Sequence, residues 1–115
     1  MIKVVNEKDM EPIKLPGREF RVVASEETIG NKNSLCGVVE IPSGSSLPVH
    51  THESSEEVMY IISGKGVVKG LDESYDLFPG AVVFVTPNYK HELVNTGNEV
   101  MKIFCSFSPA IKIGK

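Results

Sequence analysis

A chain of 115 residues and 12.6 kDa has room for one ordinary domain and too little for two. Its 41% apolar and 23% charged residues suit a globular core rather than a disordered chain. A formal net charge of −3 with no Lys/Arg cluster lacks the footprint of a nucleic-acid or anionic-membrane binder.

The first nineteen residues are the most polar part of the chain. They are expected to form an N-terminal arm (1–19), packed on the domain or on a partner, that reaches its turn at Pro16-Gly17. Residues 20–115 then make one β domain. Met1–Asp9 carries no hydrophobic leader and the longest apolar run, Ala81 to Val85, is far short of a membrane span, so a cytoplasmic location and no membrane partner are expected.

From residue 20 onward, short runs rich in β-branched and aromatic residues alternate with Gly/Pro/Asn turns. In chain order the clearest are Phe20–Ala24, Leu35–Ile41, Val58–Ile62, Val67–Lys69, Tyr75–Leu77, Ala81–Val85, Leu93–Asn95 and Val100–Phe107. Strands this short, at this turn spacing, predict an all-β sandwich or barrel. No segment holds a helical stripe over three turns, so helices are expected only as short caps. In the last run Met101, Ile103, Cys105 and Phe107 share one face. Val58–Ile62 and Ala81–Val85 are apolar on both faces and call for cover on both, from the opposing sheet and from the N-terminal segment or a partner subunit. The two cysteines, Cys36 and Cys105, sit in apolar stretches with no CxxC spacing and read as reduced, packed side chains.

The three histidines are His50, His52 and His91. His50-Thr51-His52 on an extended segment puts two imidazoles on one side, close enough to share a metal ion. An acidic pair, Glu56-Glu57, follows a short turn, and His91 opens a later strand after Pro87-Asn88-Tyr89-Lys90.

This spacing resembles that of the cupins, the double-stranded β-helix or jelly-roll barrel. The first cupin motif, G-x5-H-x-H-x(3–4)-E-x6-G, is met by Gly44, His50, His52, Glu57 and Gly64. Of the second, G-x5-P-x-G-x2-H-x3-N, Gly80, His91 and Asn95 match in register. Thr86 stands where proline is usual, with Pro87 one place later, and Asn88 replaces the turn glycine. Asparagine is the non-glycine residue best suited to positive φ, and neither departure touches a ligand position.

The resemblance implies a 3-His-1-Glu site of His50, His52, Glu57 and His91 holding one divalent transition metal per subunit. Mn, Fe, Ni and Zn remain open. Glu56 is the rival ligand, but only Glu57 leaves six residues to Gly64 and shares a face with Met59 and Ile61. By strand phase Met59, Ile61, Leu93, Cys105 and Phe107 point inward as candidate pocket lining, and Tyr89 is placed at the barrel mouth. Tyr60 faces away from Glu57 and reads as packing. Of the two arginines, Arg18 and Arg21, the latter is expected in a surface pair.

Cupins with such ligands include dioxygenases, isomerases, lyases and decarboxylases, as well as binding and sensing domains, so the fold does not name a reaction. Oxalate-processing cupins carry an arginine shortly before the histidine pair, and Ser46-Leu47-Pro48-Val49 holds none, which weighs against that chemistry. The expected function is a metal-dependent enzyme on a small oxygenated substrate, of dioxygenase or isomerase/lyase type. The alternative is a non-catalytic domain binding a sugar or small acid. Small cupins commonly pair through an outer sheet face, so a homodimer is expected.

Overall fold

The computed structural model describes residues 1–112, and its regular secondary structure is almost wholly strand. Ten are present: β1 (Ile13–Leu15), β2 (Arg18–Ala24), β3 (Leu35–Ile41), β4 (Ser46–His50), β5 (Glu56–Ser63), β6 (Gly66–Lys69), β7 (Ser74–Leu77), β8 (Val82–Val85), β9 (His91–Asn95) and β10 (Met101–Ser108). Among the described residues the helical content is a single 3-10 turn, Glu7–Asp9.

The strands form two antiparallel sheets facing each other as a jelly roll. One has the order β1-β2-β3-β10-β5-β8 and the other β4-β9-β6-β7. Period-two alternation decides which side chains enter the space between them. In β10 the burial alternates strictly, with Met101, Ile103, Cys105 and Phe107 inside. In β5 Glu57, Met59 and Ile61 are inside, whereas Glu56, Val58, Tyr60 and Ile62 are exposed. The core between the sheets is completed by Phe20, Leu35, Val39, Ile41, Leu47, Val68, Leu77, Val85 and Leu93.

Two strands were not anticipated from local pattern, and both sit at sheet edges. β1 is three residues long and pairs with β2 as a hairpin around Pro16-Gly17 (Leu15↔Arg18). Residues 13–19 therefore belong to the six-stranded sheet, and position 19/20 falls inside β2 rather than between an arm and a domain. β4 contains Pro48, which an edge strand tolerates because one side of its backbone needs no ladder partner.

The segment before β1 lies over the outer face of β2, β3 and β10. There Val4 and Val5 border a depression with Val38 and Phe104, Glu7 pairs with Lys102 at 3.0 Å, and Arg21 Nε donates to the Met10 carbonyl. This cover leaves the outer side chains of β5 and β8 exposed: Val58, Tyr60, Ile62, Val82 and Phe84.

Backbone chemistry at the turns agrees with the motif positions. Gly64 sits at φ +83°, and a Cβ there would lie 2.8 Å from both Met101 Cα and the Val100 carbonyl oxygen, so glycine is required on two counts. Asn88 has φ 60°, the conformation expected of an asparagine standing in for a turn glycine. Its N–H donates to the His52 carbonyl at 2.7 Å, tying the two motif segments together. Asn95 Nδ2 donates to the carbonyls of Ile41 and Glu99 and its Oδ1 accepts from Gly97, so this motif residue fastens the β9–β10 turn.

Candidate metal centre

β4 and β9 are antiparallel neighbours, and a register shift between Leu47 and His50 places His50 directly opposite His91. β4 ends at His50, and the chain turns so that His52, two residues on, still points at the same place. Ring centroids are 4.8 Å apart for His50 and His52, 4.1 Å for His50 and His91, and 5.9 Å for His52 and His91. Glu57 enters from the facing sheet, with Oε1 at 3.3 Å from His91 Nε2 and 3.6 Å from His52 Nε2. One ligand atom from each of these four residues lies within 4.8 Å of all the others. Glu57 is 3% exposed, whereas Glu56 is on the outer surface.

Hydrogen bonding sets the imidazole orientations. His50 Nδ1 lies 2.8 Å from the Pro48 carbonyl oxygen and His91 Nδ1 lies 2.7 Å from that of Tyr89. A carbonyl can only accept, so each Nδ1 carries a proton, and in the neutral ring each Nε2 presents its lone pair to the cluster. His52 Nε2 is buried without a hydrogen-bond partner among the described residues, and its ring and that of Phe107 pack in a T-shaped arrangement at 4.7 Å between centroids. Three imidazoles and one carboxylate with a buried, unpartnered nitrogen among them fit a first-row divalent cation.

The electrostatics favour neutral imidazoles on the β4 side. Burial pulls His50 down to about 4, helped by repulsion from His91, and burial likewise lowers His52 against the pull of Glu57. For His91, burial also lowers proton affinity, but hydrogen bonds to Glu57 and to the Tyr89 carbonyl outweigh it and the net shift is upward.

A cavity of about 480 Å³ opens at the seam between β7 and β8, walled by Val68, Leu77, Val83, Val85, Tyr89 and His91. At its rim the Glu73 carboxylate accepts hydrogen bonds from the hydroxyls of both Tyr89 and Tyr75, and the Leu71 N–H donates to the Tyr89 oxygen. Tyr89 thus borders the cavity. Met59, Ile61, Leu93, Cys105 and Phe107, expected to line a pocket, do face inward, but they are packed in the core at 0–3% exposure and do not wall this cavity. Close packing of both sheets fills the centre with these side chains, and this cavity opens where the edge strands β7 and β8 part.

Arg21 forms a pair with Glu40, Nη1 to Oε1 at 3.4 Å. Arg18 behaves differently. It shares the inward face of β2 with Phe20 and Val22; burial lowers its proton affinity against the pull of Glu57, and its charge adds to the lowering of His50 and His52. The signal available in the sequence was its two-residue offset from Phe20, a buried aromatic; its distance along the chain from the histidines hid the rest.

A two-sheet β barrel with three histidines and a glutamate converging inside it is the architecture of a cupin. The chain belongs to this family: the family model for the cupin domain matches residues 37–107. It is 34% identical over 80 residues to an oxalate-binding protein of Thermotoga maritima, covering 70% of this chain and 66% of that one. It is 28% identical over 93 residues to the tetracenomycin polyketide synthase protein TcmJ of Streptomyces glaucescens, covering 81% and 62%. The chain thus spans about two-thirds of the length of these curated relatives. Among solved structures it superposes on a predicted oxalate decarboxylase of T. maritima with a TM-score of 0.83 at 26% identity, covering 93% of this chain and 99% of that one. It matches the polyketide cyclase RemF of Streptomyces resistomycificus in fold, with a TM-score of 0.80 at 19% identity over 94% of this chain and 80% of that one.

Proposed function

We propose that this cupin is a metal-dependent enzyme acting on a small oxygenated organic substrate, of dioxygenase or isomerase/lyase type. The observation that carries this reading is the convergence of four donor atoms within 4.8 Å of one another, two of the imidazoles held by backbone carbonyls with Nε2 turned inward. His50, His52, Glu57 and His91 would hold one divalent transition metal, Mn, Fe, Ni or Zn. When bound, such an ion supplies Lewis acidity and open positions for a substrate oxygen. The residues themselves orient the donors, exclude water through the packed core behind them, and leave an apolar cavity beside His91 for the body of a substrate.

A second reading, a non-catalytic domain that captures a small acid, is favoured by the 34% identity to an oxalate-binding protein. Elemental analysis of the purified chain, with His52→Ala as control, tests the shared premise. Near-stoichiometric metal that disappears in the variant supports it, and a metal-free wild type with weak affinity on add-back defeats it. Turnover screening of the loaded protein then separates enzyme from binder.

The apolar outer face of β5 and β8 further supports a homodimer. Tyr60 and Val82 are cross-strand partners, as are Val58 and Phe84, so the five exposed side chains form a continuous patch.

A further inference from the structure

Tyr89 stands two residues before His91, and both its backbone and its side chain are engaged. Its carbonyl oxygen accepts from His91 Nδ1 at 2.7 Å, and the neighbouring Asn88 N–H donates to the His52 carbonyl at 2.7 Å. One short turn therefore touches the ring of one histidine of the cluster and the main chain of another. The turn has few holds of its own. Thr86, Pro87, Asn88 and Lys90 are exposed, and Tyr89 alone among residues 86–90 is partly buried. Its ring packs against the core and walls the cavity.

The far end of that ring is fastened to a different element. In the turn joining β6 and β7 the Gly70 N–H closes on the Glu73 carbonyl at 2.9 Å, while the Leu71 N–H donates to Tyr89 Oη at 3.0 Å. Tyr89 Oη in turn donates to the Glu73 carboxylate, whose other oxygen accepts from Tyr75 Oη at 2.9 Å. A hydroxyl with one donor and one acceptor in place is held in both of its roles. Gly70 makes room for it, since a Cβ there would lie 2.3 Å from Tyr89 Oη and 2.8 Å from its Cε2. Backbone N–H, carboxylate and glycine all fit one position of the phenol.

Firmness at this point matters to the cluster. The direction of an imidazole ligand is set by the acceptor on its other nitrogen, and losing such a partner weakens metal binding by roughly tenfold or more. For His91 that acceptor is a carbonyl on an exposed turn, so it is only as firm as the anchor of the turn.

We propose that Tyr89 is a positioning residue of the metal centre: its hydroxyl, fastened to Leu71 and Glu73, holds the turn whose backbone orients His91 and secures His52. This role rests on the metal-site reading, and it makes the rim of the cavity part of what sets the affinity for the metal.

The test is Co(II) titration of the full chain by competition with a chelating dye, at a temperature where every variant is fully folded by circular dichroism. Tyr89→Phe keeps the ring and loses the hydroxyl. It raises the Co(II) Kd by roughly tenfold and changes the visible Co(II) absorption bands, which report ligand geometry. Glu73→Ala, which alters no residue of the cluster, acts in the same direction, and the double variant binds no more weakly than Tyr89→Phe alone. A lowered melting temperature with unchanged Kd and spectrum in Tyr89→Phe makes the hydroxyl a structural tie only and overturns the proposal. Losses that add in the double variant overturn it too. Should the wild type take up no Co(II), the metal reading falls, and the His91 Nδ1–H signal in the NMR spectrum of the metal-free chain decides. Faster exchange of that proton with water in Tyr89→Phe sustains the positioning of His91, and an unchanged signal removes it as well.

Discussion

His91 stands between two acceptors: its Nε2 is 3.3 Å from Glu57 Oε1, and its Nδ1 is 2.7 Å from the carbonyl oxygen of Tyr89. In the neutral ring the Tyr89 carbonyl claims the single proton, so the Nε2 lone pair faces the carboxylate across a gap that a cation would fill. Glu57→Gln preserves the shape of the side chain and removes its charge. It is expected to weaken metal binding by roughly tenfold or more, measured by competition with a chelating dye, and to lower the imidazole proton affinity of His91, followed by NMR titration. Undiminished metal affinity in this variant would remove Glu57 from the ligand set.

The pH dependence of the metal-free protein follows from the same three rings. His50, lowered by burial to about 4, and His52, lowered in the same direction, bind protons less readily folded than unfolded. Their contribution to stability is present above the unfolded value of 6.5 and is lost as pH falls toward 4. His91, for which the Glu57 and Tyr89 hydrogen bonds outweigh burial, works the other way: its contribution is present below 6.5 and lost as pH rises through its raised folded value. Two rings outweigh one. The melting temperature of the metal-free chain should drop by several degrees between about pH 6.5 and 4.5, and His50→Asn should flatten that slope. Metal affinity should fall over the same interval, because protons compete for the same lone pairs.

Gly17→Ala probes the clamp that positions the first hairpin. With φ at +76° and a would-be Cβ 1.8 Å from the Ser46 carbonyl oxygen, the substitution forces β1–β2 away from β4. A loss of about 1–3 kcal/mol is expected in chemical denaturation. Gly44→Ala, at φ +77° but with open space around it, should cost less, since only the backbone conformation is strained. Equal losses would mean that the close approach to Ser46 contributes nothing.

The exposed patch on β5 and β8 predicts a mass in solution of twice the chain's 12.6 kDa by size-exclusion chromatography with light scattering. Tyr60→Glu with Phe84→Glu, on side chains 47% and 58% exposed in the single chain, should give the monomer without unfolding it. A wild-type monomer would exclude this face as a self-association surface.

Much of this architecture was legible locally. The inward phase of β10, the burial of Glu57 rather than Glu56, and Asn88 at positive φ all follow from period-two alternation or from the backbone preference of one residue type. Those are short-range properties, and the motif spacing carried the histidines with them. What only the tertiary structure decided is long-range. The bulged β4–β9 register sets His50 against His91, the carbonyls of Pro48 and Tyr89 choose the tautomers, and the parting of β7 and β8 puts the cavity at a seam rather than amid the predicted lining. The first hairpin belongs to the same class: alternation gives the phase of β2, but only the tertiary structure packs Gly17 on Ser46 of β4. Local sequence governs which way a side chain points along its strand; which strands meet, and at what offset, depends on how both sheets close over one shared core.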